Sequence, residues 1–200
     1  MSNFWNERYS ETAYIYGEAP NVFFAEQLSL LEPGTIILPC EGEGRNGVYA
    51  ASLGWKVNAF DSSVAGKIKA LQLADKKGVS IDYTVENAVA INYPPGGADV
   101  VAFIYAHFSP SIRKQIHQKA IGWLKPGGKI IIEAFNPDQL QNNSGGPKEL
   151  SMLYTQEMIK DDFQGLNIEL LQSFQTTLTE GKYHVGISDI VRFVGEKKYD

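Results

Sequence analysis

Two hydrophobic periods alternate along this chain. Residues 35–38 (Thr-Ile-Ile-Leu), 98–104 and 129–135 are almost unbroken apolar runs, the pattern of strands buried on both faces. Residues 55–60 read as a further strand, and Ile81, Tyr83 and Val85 alternate within a strand expected over 79–85. Between these runs, apolar residues recur at helical spacing. Phe24, Leu28 and Leu31 follow a capping Asn21 and stop at Pro33-Gly34. Val48, Ala51 and Ser52 lead to Gly54. Val64, Ile68, Leu71 and Ala74 mark the expected buried stripe of a helix over 64–77, ended by Gly78. Ile112, Ile116, Ala120 and Leu124 follow Ser109 and Pro110, a cap and a first-turn proline. Thr155 caps a short helix to about Asp162, and strands over 168–177 and 184–194 close the chain as an antiparallel pair around Gly181-Lys182. Strand and helix alternate, which predicts an α/β fold of the Rossmann-like, doubly wound kind, with a mostly parallel sheet, right-handed crossovers and helices on both faces. One domain over 1–200 is expected. Residues 1–20, rich in aromatics, form an arm over the site, and the polar, Gly- and Asn-rich stretch 136–149 is a candidate lid loop.

The chemistry concentrates between residues 35 and 61. A strand runs into Gly42-Glu43-Gly44-Arg45-Asn46-Gly47, a helix follows, and the next strand ends at Asp61. Glycines let backbone pass close to a ligand, and a helix N-terminus presents free N–H groups to an anion. An acid at the tip of the second strand can accept hydrogen bonds from ribose hydroxyls. The spacing satisfies the G-x-G-x-x-G fingerprint, which on its own does not separate NAD from S-adenosylmethionine. Asn87 and Ala88 fall at the carboxyl end of the third strand, the edge that faces ligands in open α/β sheets, where they can read an adenine edge. Tyr105, Ala106 and His107 fall at the end of the next strand.

Composition narrows the partners. The chain has 200 residues, a formal net charge of −5 and a pI near 5.3, with no basic run, so nucleic acid is not an expected partner. No segment has the length of a membrane span, and no signal peptide is visible at residues 1–10. Cys40 is the only cysteine, so an internal disulfide is impossible; a cytoplasmic protein is expected. No cysteine pair or His/Cys cluster has metal-site spacing, so no metal is expected, and no G-x-S-x-G elbow points to a hydrolase.

Two motifs together, Glu41-Gly42-Glu43-Gly44-Arg45-Asn46 and Leu124-Lys125-Pro126-Gly127-Gly128 ahead of a strand, resemble those of class I S-adenosylmethionine-dependent methyltransferases, in order and distance, over nearly the whole chain. Phe4-Trp5, Arg8-Tyr9, Tyr16-Gly17 and Pro20-Asn21 look like the amino-terminal arm of the small tellurite-resistance-like methyltransferases within that class. The resemblance implies a seven-stranded sheet with its last strand reversed, S-adenosylmethionine as cofactor and S-adenosylhomocysteine as product. It also implies roles. Gly42 and Gly44 would lie against the methionine part, with Glu41, Glu43 and Arg45 in the same loop. Asp61 would hold the ribose, Ser62 would flank the adenine, Asn87 and Ala88 would contact its edge, and Tyr105 and Ala106 would lie beneath the sulfonium. The chain departs from the usual class pattern at Leu38, where an acid is common, at Pro39, and at Cys40, where a glycine is common. Glu41 is the candidate replacement for the missing charge. Asn87 stands where many relatives carry an aspartate.

Methyl transfer from a sulfonium is an in-line displacement, so alignment and exclusion of water matter most. A soft anion, thiol or chalcogen oxyanion needs no base, whereas an amine or hydroxyl does. His107 is the base candidate; His117 and His184 read as structural. Arg8, Tyr9, Tyr16, Phe135 and Tyr154 are the acceptor-pocket candidates, with Arg8 suited to an anionic small molecule. Two alternatives stay open: an NAD(P)-binding oxidoreductase, and a non-catalytic S-adenosylmethionine-binding module. Oligomeric state is not readable from the sequence.

Overall fold

The computed structural model describes residues 2–199. Its strands and helices alternate as β1 (Thr35–Pro39), α3 (Arg45–Ser52), β2 (Lys56–Asp61), α4 (Val64–Lys77), β3 (Asp82–Val85), β4 (Ala98–Ile104), α5 (Pro110–Trp123) and β5 (Leu124–Phe135). Helices α1 (Ser2–Tyr9) and α2 (Val22–Leu28) precede them. Two 3-10 turns, α6 (Gln156–Asp162), β6 (Leu166–Glu180) and β7 (His184–Lys197) follow. The strands form one seven-stranded sheet in the order β3-β2-β1-β4-β5-β7-β6, mostly parallel, with β7 antiparallel to β5. The contacts gather in two compact units. One comprises the chain up to Asn92 with Glu180–Tyr183; the other comprises Tyr93–Thr179 and the chain from His184 on.

In the first unit β1 pairs with β2 and β2 with β3, all parallel, and Ile36, Ile37 and Leu38 are buried. The expected caps are in place. The Asn21 side chain accepts from the Phe24 N–H, Ser63 accepts from Gly66, and Gly78 closes α4 in the left-handed conformation at φ +68°. The arm expected over 1–20 contains a helix the sequence reading lacked: α1, whose Asn6 carboxamide oxygen accepts from the Ser63 hydroxyl and the Ala65 N–H at the start of α4. The buried stripe expected on α4 is corrected. Val64 and Ile68 are about half exposed, and the buried face is Gly66, Lys69, Ala70, Leu73 and Ala74. Small residues belong there because the glycine turn comes close: a Cβ on Gly66 would lie 2.9 Å from the Gly42 carbonyl oxygen.

In the second unit β4 pairs parallel with β5, which starts at Leu124, earlier than expected. β5 pairs antiparallel with β7, placing Glu133 opposite Arg192 and Ile132 opposite Phe193. The stretch 136–149, expected as a lid, is tied to β7. Asn136 Nδ2 donates to the Ile190 carbonyl, Asn142 Nδ2 to Asp189, and the Ser144 hydroxyl to the Ile187 carbonyl. Gln139 adds a bond from the Asp189 N–H.

Candidate active site

β1 ends at Pro39 and the chain turns through Cys40 at φ +56° and Gly42 at φ +58°, reaching Gly44 at φ +88° as the residue before α3. β2 delivers Asp61 beside this turn, because it lies one strand over in parallel register. The Gly42 N–H donates to Asp61 Oδ2 at 3.2 Å and the Ser63 N–H to Oδ1 at 2.9 Å. The Asp61 carboxylate is buried, and burial raises its pKa. Tyr83, from β3, donates its hydroxyl to the Gly42 carbonyl at 2.7 Å. Asn87 and Ala88 follow β3; Asn87 is exposed and spends its Oδ1 on the Val89 N–H. Ser62 is half-buried just after Asp61.

Glu41, the expected replacement for the charge absent at Leu38, faces the start of α3. Its Oε1 accepts from the Gly47 N–H at 2.6 Å, and a Cβ on Gly47 would touch both Glu41 Oε1 and Leu38 Cδ1. The carboxylate therefore lies beside the leucine side chain, against the first turn of α3. Desolvation raises its pKa to about 7.

Three residues expected at the cofactor have protein partners instead. A Cβ on Gly44 would lie 2.5 Å from Ala70 Cβ, so this glycine serves the packing of the turn on α4. Glu43 pairs with Lys69 Nζ at 2.5 Å and accepts from the Ile15 N–H at 2.8 Å and the Tyr16 N–H at 3.4 Å. Lys69 also donates to the carbonyls of Glu11 and Ala13. Arg45 pairs with Glu180 at 2.8 Å. Glu43 and Arg45 thus anchor the arm and the β6–β7 turn. The sequence held no signal for Glu180, which lies 135 residues from Arg45. Lys69 was hidden because a lysine on a helix reads as solvated.

The arm covers the turn. Tyr9 is buried, and a Cβ on Gly42 would lie 2.6 Å from its hydroxyl. Burial first, and the Asp61 charge second, push the Tyr9 pKa well up. Arg8 donates to the Tyr16 hydroxyl at 3.2 Å.

In the second unit, Tyr105 holds φ +53° at the end of β4. Its hydroxyl donates to Glu133 Oε1 at 2.7 Å, and Arg192 Nε donates to Glu133 Oε2 at 2.6 Å. The Tyr105 ring lies 4.7 Å from Phe135 and 4.4 Å from His184, centre to centre. The base role expected of His107 is corrected for this conformation. Nδ1 lies 2.7 Å from the Met152 carbonyl, so it carries the hydrogen, and Nε2 accepts from the Phe135 N–H at 3.2 Å. Neither ring nitrogen is left for a substrate proton, and desolvation lowers the pKa to about 4. Phe135 and Tyr154, expected as acceptor contacts, are both buried to 1% exposure or less. Tyr154 instead bridges, accepting from the Phe108 N–H at 2.7 Å and donating to the Ala106 carbonyl at 3.1 Å. His117 is buried on Asp162, a structural histidine. Among the described residues no group of His, Cys, Asp and Glu has metal-site geometry. No described helix is long and apolar enough to cross a membrane.

Glycine turn, helix start and strand-end acid on a parallel sheet define a Rossmann-like nucleoside-binding protein. Residues 40–132 match a family model described as a methyltransferase domain. No curated protein matches the sequence. Solved structures do. A protein that converts a disulfide bond into a thioacetal group during echinomycin biosynthesis is similar over 100% of this chain and 93% of its own, at 15% identity and a TM-score of 0.79. TehB from Haemophilus influenzae is similar over 98% and 67%, at 16% identity and 0.73. A phosphoethanolamine N-methyltransferase from Haemonchus contortus, with S-adenosylhomocysteine bound, is similar over 98% and 57%, at 15% identity and 0.69. These likenesses show the fold. With the matched segment, they make this chain similar to S-adenosylmethionine-dependent methyltransferases.

Proposed function

We propose that this protein transfers the methyl group of S-adenosylmethionine to a small-molecule acceptor that arrives as a soft nucleophile: an anion, a thiolate or a chalcogen oxyanion. The observation that carries the reading is the bond from the Gly42 N–H to the Asp61 carboxylate, which joins glycine turn and strand-end acid into one cradle. The residues fit an adenosyl group. An ionised carboxylate has about four lone-pair sites, so Asp61 keeps capacity for ribose hydroxyls beyond its backbone partners. Exposed Asn87 and half-buried Ala88 leave an open edge for adenine after β3. When bound, the sulfonium supplies an activated methyl: the nucleophile's lone pair forms the new bond as the methyl–sulfur bond breaks and its electrons stay on sulfur.

The chain's residues do the rest. Asp61 and Ser62 would hold the ribose and adenine side, and the Gly42 backbone and Glu41 would hold the methionine part. Because His107 spends both nitrogens on backbone, acceptors already deprotonated suit the site best. The lone Cys40 is in keeping with a reducing, cytoplasmic setting.

Calorimetric titration with S-adenosylmethionine, S-adenosylhomocysteine and NADH tests the reading. Both adenosyl ligands are expected to bind, and Asp61→Ala to lose them by about a hundredfold, the loss of charged hydrogen bonds worth about 3 kcal/mol. NADH binding in their place would transfer the protein to the oxidoreductases.

A further inference from the structure

The chain has four arginines. Three of them face a carboxylate: Arg45 meets Glu180, Arg113 meets Asp162 and Arg192 meets Glu133. Arg8 does not. Among the described residues its guanidinium has aromatic partners: the ring centres of Tyr183 at 4.5 Å, Phe4 at 4.6 Å and Trp5 at 5.5 Å. One N–H goes to the Tyr16 hydroxyl. A guanidinium has five N–H donors in one plane, and rings packed against its faces leave the donor edge as the part that can recognise something. Stacking also fixes the fork, so little conformational freedom is lost when a ligand docks.

The place is tied to the cradle. Arg8 precedes Tyr9, which covers Gly42, and its partner Tyr16 is bonded through its N–H to Glu43 of the glycine turn. Lys182 adds positive charge above the Tyr183 ring, although Glu11 pairs with it. In a chain of net charge −5, an arginine without a carboxylate partner beside the site is the natural place to hold an anion.

We propose that Arg8, caged by Phe4, Trp5 and Tyr183, is the subsite for the anionic group of the methyl acceptor, a carboxylate or an oxyanion. This rests on the methyltransferase reading and adds the acceptor's charge and the residue that selects it. The planar fork offers two parallel N–H groups to two oxygens, geometry that an ammonium cannot reproduce.

The test titrates inorganic phosphate, benzoate and neutral benzamide into protein saturated with S-adenosylhomocysteine, followed by calorimetry and tryptophan fluorescence, since Trp5 lies in the cage. Phosphate and benzoate are expected to bind and benzamide to fail. Arg8→Lys, which keeps the charge, is expected to weaken both anions about tenfold or more, as loss of a charged hydrogen bond does. Tyr183→Leu, which keeps Arg8 but removes a stacking face, is expected to weaken them as well. Equal anion affinity in wild type and Arg8→Lys, or no anion binding by the wild type, overturns the proposal. Failure of S-adenosylhomocysteine to bind would strike the methyltransferase reading instead. The same titration on the ligand-free protein then still decides the role of Arg8.

Discussion

At the scale of single residues, Cys40 carries a cost that its sequence position explains. A left-handed backbone costs an L-residue about 1–2 kcal/mol, and Cys40 sits at φ +56° where the resembled class usually has glycine. Cys40→Gly is expected to stabilise the protein by about 0.5–1 kcal/mol, the relief of strain less the extra freedom glycine gives the unfolded chain. Urea denaturation measures it, and a loss of stability would mean that the buried thiol's packing outweighs the strain. The turn's existence was legible from its glycines, and Asp61 from its place after an apolar run. The direction of Glu41 was not, because a free-standing carboxylate has no sequence-encoded aim; the backbone N–H groups of Gly47 and Asn46 set it. His107 was legible as a strand-end histidine, but its two backbone partners come from residues 28 and 45 positions away.

At the scale of elements, α4 teaches why period alone misassigns a face. Its large apolar residues, Val64, Ile68 and Leu71, recur at helical spacing and read as the core stripe. The observed buried face sets Gly66, Ala70 and Ala74 beside Lys69 and Leu73, because the glycine turn approaches too closely for a larger side chain at Gly66 or Ala70. Lys69 is admitted to that face by Glu43 and two carbonyls, partners that satisfy a buried ammonium. The same pair holds the arm, since Glu43 also accepts the amides of Ile15 and Tyr16, which lie outside any helix or strand. Hydrogen exchange therefore should find these two amides slow in an otherwise irregular stretch. Glu43→Gln is expected to speed their exchange by about tenfold, in step with the loss of a charged acceptor. Unchanged exchange would show that other contacts, such as Lys182 N–H to the Ile15 carbonyl, suffice to hold the arm.

At the scale of the whole molecule, two buried titrating groups pull stability in opposite directions over one pH range. Glu41 is raised from 4.5 to about 7, so the folded state holds its proton more tightly, and stability falls as pH rises through that window. His107 is lowered from 6.5 to about 4, so the unfolded state takes up a proton first, and stability falls as pH drops from 6.5 toward 4. Each effect is worth about 3 kcal/mol, and they largely cancel where the two windows overlap, between pH 4.5 and pH 6.5. Glu41→Gln removes one side of the balance. Its melting temperature is expected to climb with pH across that range, where the wild type stays nearly level; thermal scans at fixed ionic strength would show it, and parallel curves would rule it out. The strand–helix alternation that sets this architecture was the most legible feature of all, because each apolar run is long and each turn is marked by glycine or proline. The pairing that completes the first unit was not: Glu180 reaches Arg45 from the far end of the chain. That discontinuity bears on how the chain can be divided. Residues 1–92, made alone, would bury the Arg45 cation with its counter-charge missing, a defect that typically costs 3–5 kcal/mol. A chain whose first half draws four residues from its last quarter is expected to resist being split there into a two-piece reporter.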